Sequence, residues 1–386
     1  MKIVFIEVVH NFGGSTKSTL ELATRLQKLG HEVVIIDLWG SNQPFLDTVN
    51  KLNLRIEIID KREAPKVLSH NSKLKTVFNK ITYLPEFFSY RKKINTLLHK
   101  IQPDIVSANN LKCLTLLDYK ASYEIDYFAR TWFESKSVSK IKKIIYRRFV
   151  SRFLTVSQAT RQAIASGGLA HFENVEVLHS VIDSSFFYSI AEPSIKDFST
   201  QPINIFHCGG FIETKGQHIA ISIASELLKR NVNFKLTLIG LVYLTESSQK
   251  YYESILQQIK QLNLEKYVDL IINENDVINH FHAQDVLIHT SSTEGLPRVG
   301  LEALALGKPV IANAVGGVTD IVLDNFTGFL PSYNDIYDYS DYIEKYVNNS
   351  QLFLKHATQG RSLIEQTYLS ENQERLIKKI YPLKDK

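Results

Sequence analysis

The stretch DVLIHTSSTEGLPRVGLEALALGKPVIANAVGGVTDIVLDNFTGFL, residues 285–330, decides the fold of this chain. It opens with an apolar run, residues 286–289, which has the length and composition of a buried strand. A polar loop follows, and Pro297 suits the first turn of a helix, where a missing N–H costs nothing. A second apolar run at residues 309–312 predicts another strand. Strand, loop, helix and strand in this order are typical of a parallel α/β sheet.

Two acidic residues, Glu294 and Glu302, flank the predicted start of this helix. The backbone N–H groups of Arg298 and Val299 are expected to be unpaired there, and the helix dipole favours a negative charge beside them. Ligands of such sheets bind beyond the carboxyl ends of the strands. The stretch therefore predicts a phosphate site, with Glu302 accepting from a ribose diol and Glu294 from a sugar hydroxyl. The alternative is a pair of solvated acids around an ordinary helix start.

Length and composition indicate a globular protein of two domains. The 386 residues suit two domains of about 150–200 residues each, and 44% of them are hydrophobic. The two cysteines, Cys113 and Cys208, lie far apart and lack metal-ligand spacing, which argues for a reducing compartment. No stretch approaches the ~18 apolar residues of a membrane span. The N-terminal residues are expected to form a first strand and not a signal peptide.

The net charge of +5 conceals an asymmetry between the two halves. Residues 1–200 contain 28 Lys and Arg against 19 Asp and Glu, whereas residues 201–386 contain 17 against 21. Opposite signs suggest two bodies with different partners. We expect the basic first half to face something anionic.

Short apolar runs alternate with amphipathic stretches along the chain, which predicts βαβ units. The expected fold class is α/β, with two doubly wound Rossmann-like domains facing each other across a cleft. The pattern breaks at residues 184–202, so we place the connection between the domains there. The predicted parts are an N-terminal domain at 1–185, a linker at 186–201, a C-terminal domain at 202–366, and a C-terminal helix at 367–386 that packs back on the N-terminal domain.

The individual elements follow from the same periodicity. Strands are predicted at residues 2–9, 32–37, 54–59, 104–108, 125–129, 152–156, 175–178, 203–208, 234–240, 268–272, 286–290 and 309–312. Helices are predicted at residues 17–29, 216–230, 246–263, 297–306, 318–323, 336–348 and 351–366, with a terminal piece near 371–381.

The run EGLPRVGLE, residues 294–302, has two glutamates separated by seven residues, and characteristic blocks follow at 305–311, 316–320 and 327–330. In these features the chain resembles the family 4 retaining glycosyltransferases, which have the two-domain GT-B fold. Weaker similarity extends through most of the chain. The resemblance implies transfer of a sugar from a nucleoside diphosphate sugar to an acceptor hydroxyl, with retention of configuration.

The resemblance also implies roles for individual residues. The first glutamate, Glu294, is expected to contact the donor sugar and the second, Glu302, the ribose. The N-terminal domain is expected to bind the acceptor and the C-terminal domain the nucleotide sugar. The catalytic residues implied are Glu294 and Lys215. The donor-binding residues implied are Gly209, Gly210, Lys215, Glu294, Gly295, Leu296, Pro297, Arg298, Val299 and Glu302.

A second motif, GGFIETKG at residues 209–216, follows the first predicted strand of the second half. The glycine pair lets backbone approach a ligand, and Lys215 brings a cation to a diphosphate. Without the resemblance, a plain turn with a solvated lysine is an equal reading. The family usually places an arginine as well as a lysine here, and the arginine position falls on Gly210. Arg298 is a candidate substitute for it.

A third motif, NFGGSTKST at residues 11–19, resembles a P-loop but lacks the glycines that a phosphate cradle requires around Lys17. A deviant P-loop ATPase that binds ATP through Lys17 stays an alternative. Gly13, Gly14 and Ser15 instead resemble the family's glycine-rich loop, which approaches the donor phosphate or the acceptor across the cleft. A plain turn between strand and helix is the simpler reading.

A basic stretch at residues 136–152 contains no acidic residue. Its isoleucines and Phe149 fall at helical spacing. The candidates for docking on an anionic membrane are Lys140, Lys142, Lys143, Arg147 and Arg148. The alternative is a helix whose apolar stripe packs in the core while its charges are solvated. We see no nucleic-acid motif and expect no nucleic-acid partner.

The sequence thus predicts a glycosyltransferase of bacterial surface polysaccharide or glycolipid assembly. Its expected partners are a nucleoside diphosphate sugar, a glycan or lipid-linked acceptor and an anionic membrane surface. We expect a cytoplasmic protein that attaches peripherally to the inner face of the plasma membrane, and neither a cofactor nor a metal. The alternatives are a non-catalytic subunit that binds sugar nucleotides, which Gly210 motivates, and a sugar-nucleotide epimerase on the same fold.

Overall fold

The computed structural model describes residues 1–10, 12–63, 73–274 and 277–383. Its framework is two parallel β-sheets, one in each half of the chain. The first sheet contains β1 (Lys2–Glu7), β2 (Glu32–Asp37), β3 (Arg55–Ile58), β4 (Ile105–Ala108), β5 (Glu124–Ala129), β6 (Arg152–Thr155) and β7 (Val175–Val177). The second contains β8 (Ile203–Cys208), β9 (Phe234–Gly240), β10 (Val268–Ile272), β11 (Val286–His289), β12 (Val310–Ala312) and β13 (Gly328–Phe329).

Helices connect the strands and cover the sheets. In the first half they are α1 (Gly14–Lys28), α2 (Gln43–Lys51), α3 (Lys73–Ile101), α4 (Leu111–Leu116), α5 (Lys140–Phe149), α6 (Gln158–Ser166) and α7 (Ser184–Ser189). In the second half they are α8 (Gln217–Lys229), α9 (Glu246–Gln261), α10 (Ile278–Phe281), α11 (Arg298–Ala305), α12 (Ile336–Asn348), α13 (Ser350–Leu363) and α14 (Glu374–Ile380). Short 3₁₀ helices lie at residues 135–137, 172–174, 213–215, 316–320 and 370–373, and a π-helix lies at 364–368.

Both sheets are doubly wound, which confirms the predicted fold class. The strand order is β3-β2-β1-β4-β5-β6-β7 in the first sheet and β10-β9-β8-β11-β12-β13 in the second. The order reverses between β1 and β4 in one sheet and between β8 and β11 in the other. Crevices open at such reversals beyond the carboxyl ends of the strands, so each sheet offers a ligand site at its switch point.

Burial explains why these runs form central strands. The side chains from Ile3 to Ile6 and from Val33 to Ile36 are at most 5% exposed, so these strands are covered on both faces. Strands in that position are continuous apolar runs and do not alternate. Burial of that much apolar surface is the main stabilising contribution to such a core.

The C-terminal segment returns to the first sheet. Leu369 pairs with Ile182 in an isolated parallel bridge. Tyr381 donates a hydrogen bond of 3.0 Å from its hydroxyl to the carboxylate of Asp126, which also accepts from Arg152 at 2.8 Å. Asp126 is fully buried, and such a group is stable only when its partners stay in place. These contacts fasten the end of the chain to β5 and β6.

Three local predictions differ from the structure. The break at 184–202 contains α7, because Asp183 caps its first turn by accepting from the N–H of Phe186 and because Phe187 is buried. The helix predicted at 318–323 is a 3₁₀ helix at 316–320. The hydroxyl of Thr327 donates a hydrogen bond to the carbonyl oxygen of Ile321, so this carbonyl does not accept from a further turn of the helix.

The helix predicted at 351–366 is α13 followed by the π-helix. Helices α2, α3, α4, α6 and α10 and strand β13 were not predicted, and their apolar runs are short or irregular in period. No helix among the described residues is both long enough and apolar enough to cross a membrane.

Candidate active site

A cleft of about 630 Å³ lies where the carboxyl ends of the two sheets meet. Its walls include the loops that follow β1, β5, β8, β9 and β11, together with residues of α1, α2 and α11. All the residues predicted to bind the donor line it, and so do the three residues of the predicted glycine-rich loop. The lining residues include Gly13, Gly14, Ser15, Lys17, Arg130, Gly209, Gly210, Lys215, Tyr243, His289, Glu294, Gly295, Leu296, Pro297, Arg298, Val299 and Glu302.

Glu294 is the most constrained acid of the cleft. Its side chain accepts a hydrogen bond of 2.6 Å from the ammonium group of Lys215 and one of 3.0 Å from Nε2 of His289. Burial alone would raise the pKa of Glu294, but Lys215 and His289 outweigh burial and hold that pKa far below its usual range. The carboxylate is therefore charged at neutral pH and can accept further hydrogen bonds.

A second histidine holds the backbone beside Lys215. His207 donates from Nε2 to the carbonyl oxygen of Lys215 at 2.9 Å, and its ring stacks on that of His289. Burial and the neighbouring His289 lower the pKa of His207 to about 3, so the ring is neutral. The two imidazoles thus fix both the lysine and the glutamate of the pair.

Glu302 lies one turn into α11 and belongs to a chain of charges that crosses the cleft. The guanidinium of Arg298 is 3.6 Å from Glu302 and 2.6 Å from Glu21 on α1 of the other half. Burial raises the pKa of Glu302, while Arg298 and Lys17 oppose that rise. Glu21 adds a repulsive charge that raises the pKa further. Arg298 is thus an ion-pair partner of two acids and not an uncommitted cation.

The start of α11 has the form expected for anion binding. Pro297 precedes the helix as its N-cap, and its carbonyl accepts from the N–H groups of Gly300 and Leu301. The N–H groups of Arg298 and Val299 precede those hydrogen bonds and belong to the unpaired first turn. An anion bound there gains two donors and the positive end of the helix dipole.

Glycines allow the two halves to touch at the cleft. A Cβ atom added to Gly295 would collide with the carbonyl oxygen of Arg130 and lie 2.7 Å from its carbonyl carbon. One added to Gly317 would collide with the carbonyl oxygen of Gly295 and lie 2.8 Å from Cβ of Ser157. The loop that carries Glu294 is therefore seated directly on the first half of the chain.

A larger cavity of about 1020 Å³ lies along α1, beside the cleft. Its walls are one face of α1, the end of α2, the start of α7 with the residues before it, and the segment around Ser370. Phe12 and Lys17 line both cavities, and Glu21 faces the larger one. The two spaces therefore adjoin at the start of α1, on the side of the first sheet.

The predicted membrane-docking residues form α5, away from the cleft. None of the residues of α5 is buried, and the side chains of Ile141 and Ile144 are 70% and 65% exposed. Ile145 and Tyr146 pack against the core of the first half, so only part of the apolar stripe does so. Arg147 donates to the carbonyl oxygen of Gly168 at 2.7 Å. The outer face of α5 thus combines cations with two exposed isoleucines.

Two protein-family models match this chain. One, described as glycosyl transferases group 1, matches residues 191–363, and the other, glycosyltransferase family 4, matches residues 12–186. Between them they account for most of both halves. The chain belongs to glycosyltransferase family 4. It is therefore a glycosyltransferase, and its two sheets are the two Rossmann-like halves of the GT-B fold.

Similar proteins agree with this family. An uncharacterized glycosyltransferase of Haemophilus influenzae is 22% identical over 375 residues, which are 94% of each chain. The capsular polysaccharide biosynthesis glycosyltransferase CapM of Staphylococcus aureus is 28% identical over 43% of this chain and 42% of its own. The crystal structure of Anabaena HepE in complex with UDP-glucose has a TM-score of 0.78 at 20% identity and covers 98% of this chain and 99% of its own. These comparisons do not favour a non-catalytic subunit or an epimerase.

The cleft is also lined by residues that were not among the predicted site residues, including Lys17, Arg130, Tyr243 and His289. Arg130 directly follows β5, Tyr243 lies in the loop after β9, His289 is the last residue of β11, and Lys17 lies in the first turn of α1. Position at the carboxyl end of a strand was the signal that could have found the first three. Lys17 was considered only for a P-loop. Arg130 is the most distinctive, since its Nε and Nη1 are buried without a hydrogen-bond partner among the described residues. Burial lowers the pKa of Arg130 to about 10, so it stays a cation at neutral pH.

The contact between the halves yields a stability prediction. Gly295→Ala would force the new Cβ against the backbone of Arg130, and overpacking of this kind costs roughly 1–3 kcal/mol. We expect a melting temperature several degrees lower, because about 1 kcal/mol shifts it by roughly 2–4 °C in a domain of this size. Differential scanning calorimetry of the purified variant measures the change.

The matched control is Gly13→Ala, because a Cβ at Gly13 meets no atom within 4 Å and its φ is −113°. We expect its melting temperature to equal that of the parent protein. If the two alanine variants melt alike, the contact between Gly295 and Arg130 does not constrain the two halves.

Proposed function

We propose that this glycosyltransferase moves a hexose from a nucleoside diphosphate sugar to an acceptor hydroxyl and retains the anomeric configuration. The observation that carries the proposal is the meeting of Lys215, Glu294 and the start of α11 in one cleft. The likeness to HepE, whose crystal structure holds UDP-glucose, supports a donor of this class. Likeness to CapM supports a role in the assembly of bacterial surface polysaccharide.

In this proposal the diphosphate lies between the start of α11 and the loop at Gly209 and Gly210. The N–H groups of Arg298 and Val299 donate to one phosphate, and Lys215 stabilises the charge that develops as the sugar leaves. Arg130 supplies a further cation from the first half. Because these groups are fixed before the donor binds, little reorganisation is needed when the charge appears.

The two glutamates hold the two sugars of the donor. Glu302 accepts from the ribose diol, and Glu294 accepts from a hydroxyl of the transferred sugar. Lys215 and His289 keep Glu294 in a fixed orientation, and they also lower its proton affinity. We therefore assign Glu294 to sugar positioning and not to a covalent intermediate.

Retention follows from attack on the face that the diphosphate leaves. The acceptor hydroxyl forms the new bond to the anomeric carbon as the bond to the diphosphate breaks. Its proton passes to the departing phosphate oxygen, so the charges balance without another base. The cavity along α1 adjoins the cleft at Phe12 and Lys17, and we place the acceptor there.

The outer face of α5 supports a membrane-bound acceptor. Lys140, Lys142 and Lys143 lie in its first turn and are not buried, and Ile141 and Ile144 beside them are exposed. Cations near an anionic bilayer each contribute about 1 kcal/mol, and exposed isoleucines add apolar contact. We propose that α5 rests on the cytoplasmic leaflet and presents a lipid-linked acceptor to the cleft.

The pH dependence of donor affinity tests the proposed role of Glu302. Because burial raises its pKa, the carboxylate loses its charge at a higher pH than an ordinary glutamate. Donor affinity should therefore be highest above that pKa and decline as the pH falls through it. Glu302→Gln should weaken donor binding by roughly tenfold or more at neutral pH and remove the acidic decline. Isothermal titration with UDP-, GDP- and ADP-glucose at several pH values measures both effects.

Glu213→Gln is the control, because Glu213 is an exposed acid near Lys215 outside the lining of the cleft. It should bind the donor as the parent does. If the parent protein neither binds nor hydrolyses any nucleoside diphosphate sugar in a wider screen, the proposed function is wrong.

The membrane proposal predicts a loss of vesicle binding when the charges of α5 are removed. Replacing Lys140, Lys142 and Lys143 with Gln should lower binding to vesicles of phosphatidylglycerol and phosphatidylcholine by roughly a hundredfold, at about 1 kcal/mol for each cation. Vesicle sedimentation measures binding. A matched triple change of Lys229, Lys235 and Lys266 in the second half should leave it intact. Unchanged binding after the change in α5 would reject this docking surface.

A further inference from the structure

Tyr243 occupies the space beside Gly210 at the rim of the cleft. A Cβ atom added to Gly210 would collide with the hydroxyl of Tyr243 and lie 2.7 Å from its Cζ. Both residues line the cleft together with Lys215. The phenol therefore fills the volume that any side chain at position 210 would need, and an arginine does not fit there while Tyr243 keeps its place.

Hydrogen bonds hold the two loops in register. The backbone N–H of Tyr243 donates to the hydroxyl of Ser248 at 2.9 Å, and that hydroxyl donates to the carbonyl oxygen of Phe211 at 2.7 Å. The N–H of Phe211 donates to the carbonyl oxygen of Leu241 at 2.8 Å. Ser248 is fully buried, so this connection is protected from water. These contacts hold the loop that carries Tyr243 beside the loop that carries Gly210.

Two hydrogen-bond donors remain unused at this point. The hydroxyl of Tyr243 and the N–H of Gly210 have no partner within the part of the chain that the structure describes. The neighbouring N–H groups of Gly209, Phe211 and Ile212 are all satisfied by carbonyl oxygens. Burial raises the pKa of Tyr243, although Lys215 opposes the rise, so the phenol keeps its proton and can donate.

We propose that Tyr243 donates a hydrogen bond from its hydroxyl to the diphosphate of the donor, beside the N–H of Gly210. In this chain, position 210 is glycine because that hydroxyl occupies the space of a side chain. Tyr243 is then a binding residue of the leaving group, and it supplies from the loop after β9 a contact that the loop after β8 lacks. This inference rests on the proposed function.

The alternative role of Tyr243 is contact between its ring and the base of the nucleotide. The two roles differ in which part of Tyr243 contacts the ligand: the hydroxyl contacts the diphosphate in one, and the ring contacts the base in the other. A ring contact survives the change of tyrosine to phenylalanine, whereas a hydrogen bond to the diphosphate does not. A nucleoside without phosphates therefore separates the roles.

The experiment measures binding of UDP, GDP and ADP, and of uridine, guanosine and adenosine, to the full chain. Tyr243→Phe should weaken binding of the preferred diphosphate by roughly tenfold and leave binding of its nucleoside unchanged. Gly210→Ala should displace the hydroxyl and produce a similar loss. The double variant should bind no more weakly than either single variant, because both changes remove the same contact.

Tyr252→Phe is the matched control, since Tyr252 packs edge-on against Phe211 and is not part of the cleft lining. Its affinity for the diphosphate should equal that of the parent. Melting temperatures of all variants show whether each is folded.

Three results would overturn the inference. If Tyr243→Phe and the parent bind the diphosphate equally well, the proposed hydrogen bond is not formed. Equal losses for the diphosphate and the nucleoside place the contact of the hydroxyl on the nucleoside and not on the diphosphate. If the parent itself binds no diphosphate, the proposed function fails and the inference fails with it. The first two results overturn the inference alone and leave the proposed function standing.

Discussion

The close contact between two backbones is the constraint on which the cleft depends. Gly295 lies against the carbonyl group of Arg130, and Gly317 in turn lies against Gly295. No side chain separates the halves there, so the loop that carries Glu294 is held in one position against the first half of the chain. Lys215 and His289 then reach Glu294 at hydrogen-bond distance. A small shift of this loop would disturb all these contacts at once.

Several charges of the cleft are paired with one another. Glu294 is paired with Lys215, and Arg298 joins Glu302 to Glu21 across the two halves. Partly buried charges need such partners, because an unpaired one costs several kcal/mol. A diphosphate would enter a site whose cations are already in position, while Nε and Nη1 of Arg130 have no hydrogen-bond partner among the described residues. This arrangement suits stabilisation of a leaving group better than that of a neutral substrate.

The sequence predicted the second sheet and the candidate site beside it more fully than the connections around them. The run from Glu294 to Glu302 is local, so its spacing alone placed both acids at the start of α11. The pair of Arg298 and Glu21 joins residues 277 positions apart, and no periodicity reports such a contact. Gly210 departs from the arginine that the family resemblance implies, and Tyr243, from the loop after β9, occupies the space that a side chain at position 210 would need. Helix α7 was missed because its stability comes from one cap and the burial of Phe187.

A crystal structure of the protein with an intact nucleoside diphosphate sugar tests the central claim most directly. The account predicts the diphosphate within hydrogen-bond distance of the N–H groups of Arg298 and Val299 and of the ammonium group of Lys215. It also predicts the ribose diol on Glu302. A donor bound only in the cavity along α1, with the start of α11 in contact with protein atoms alone, would contradict it.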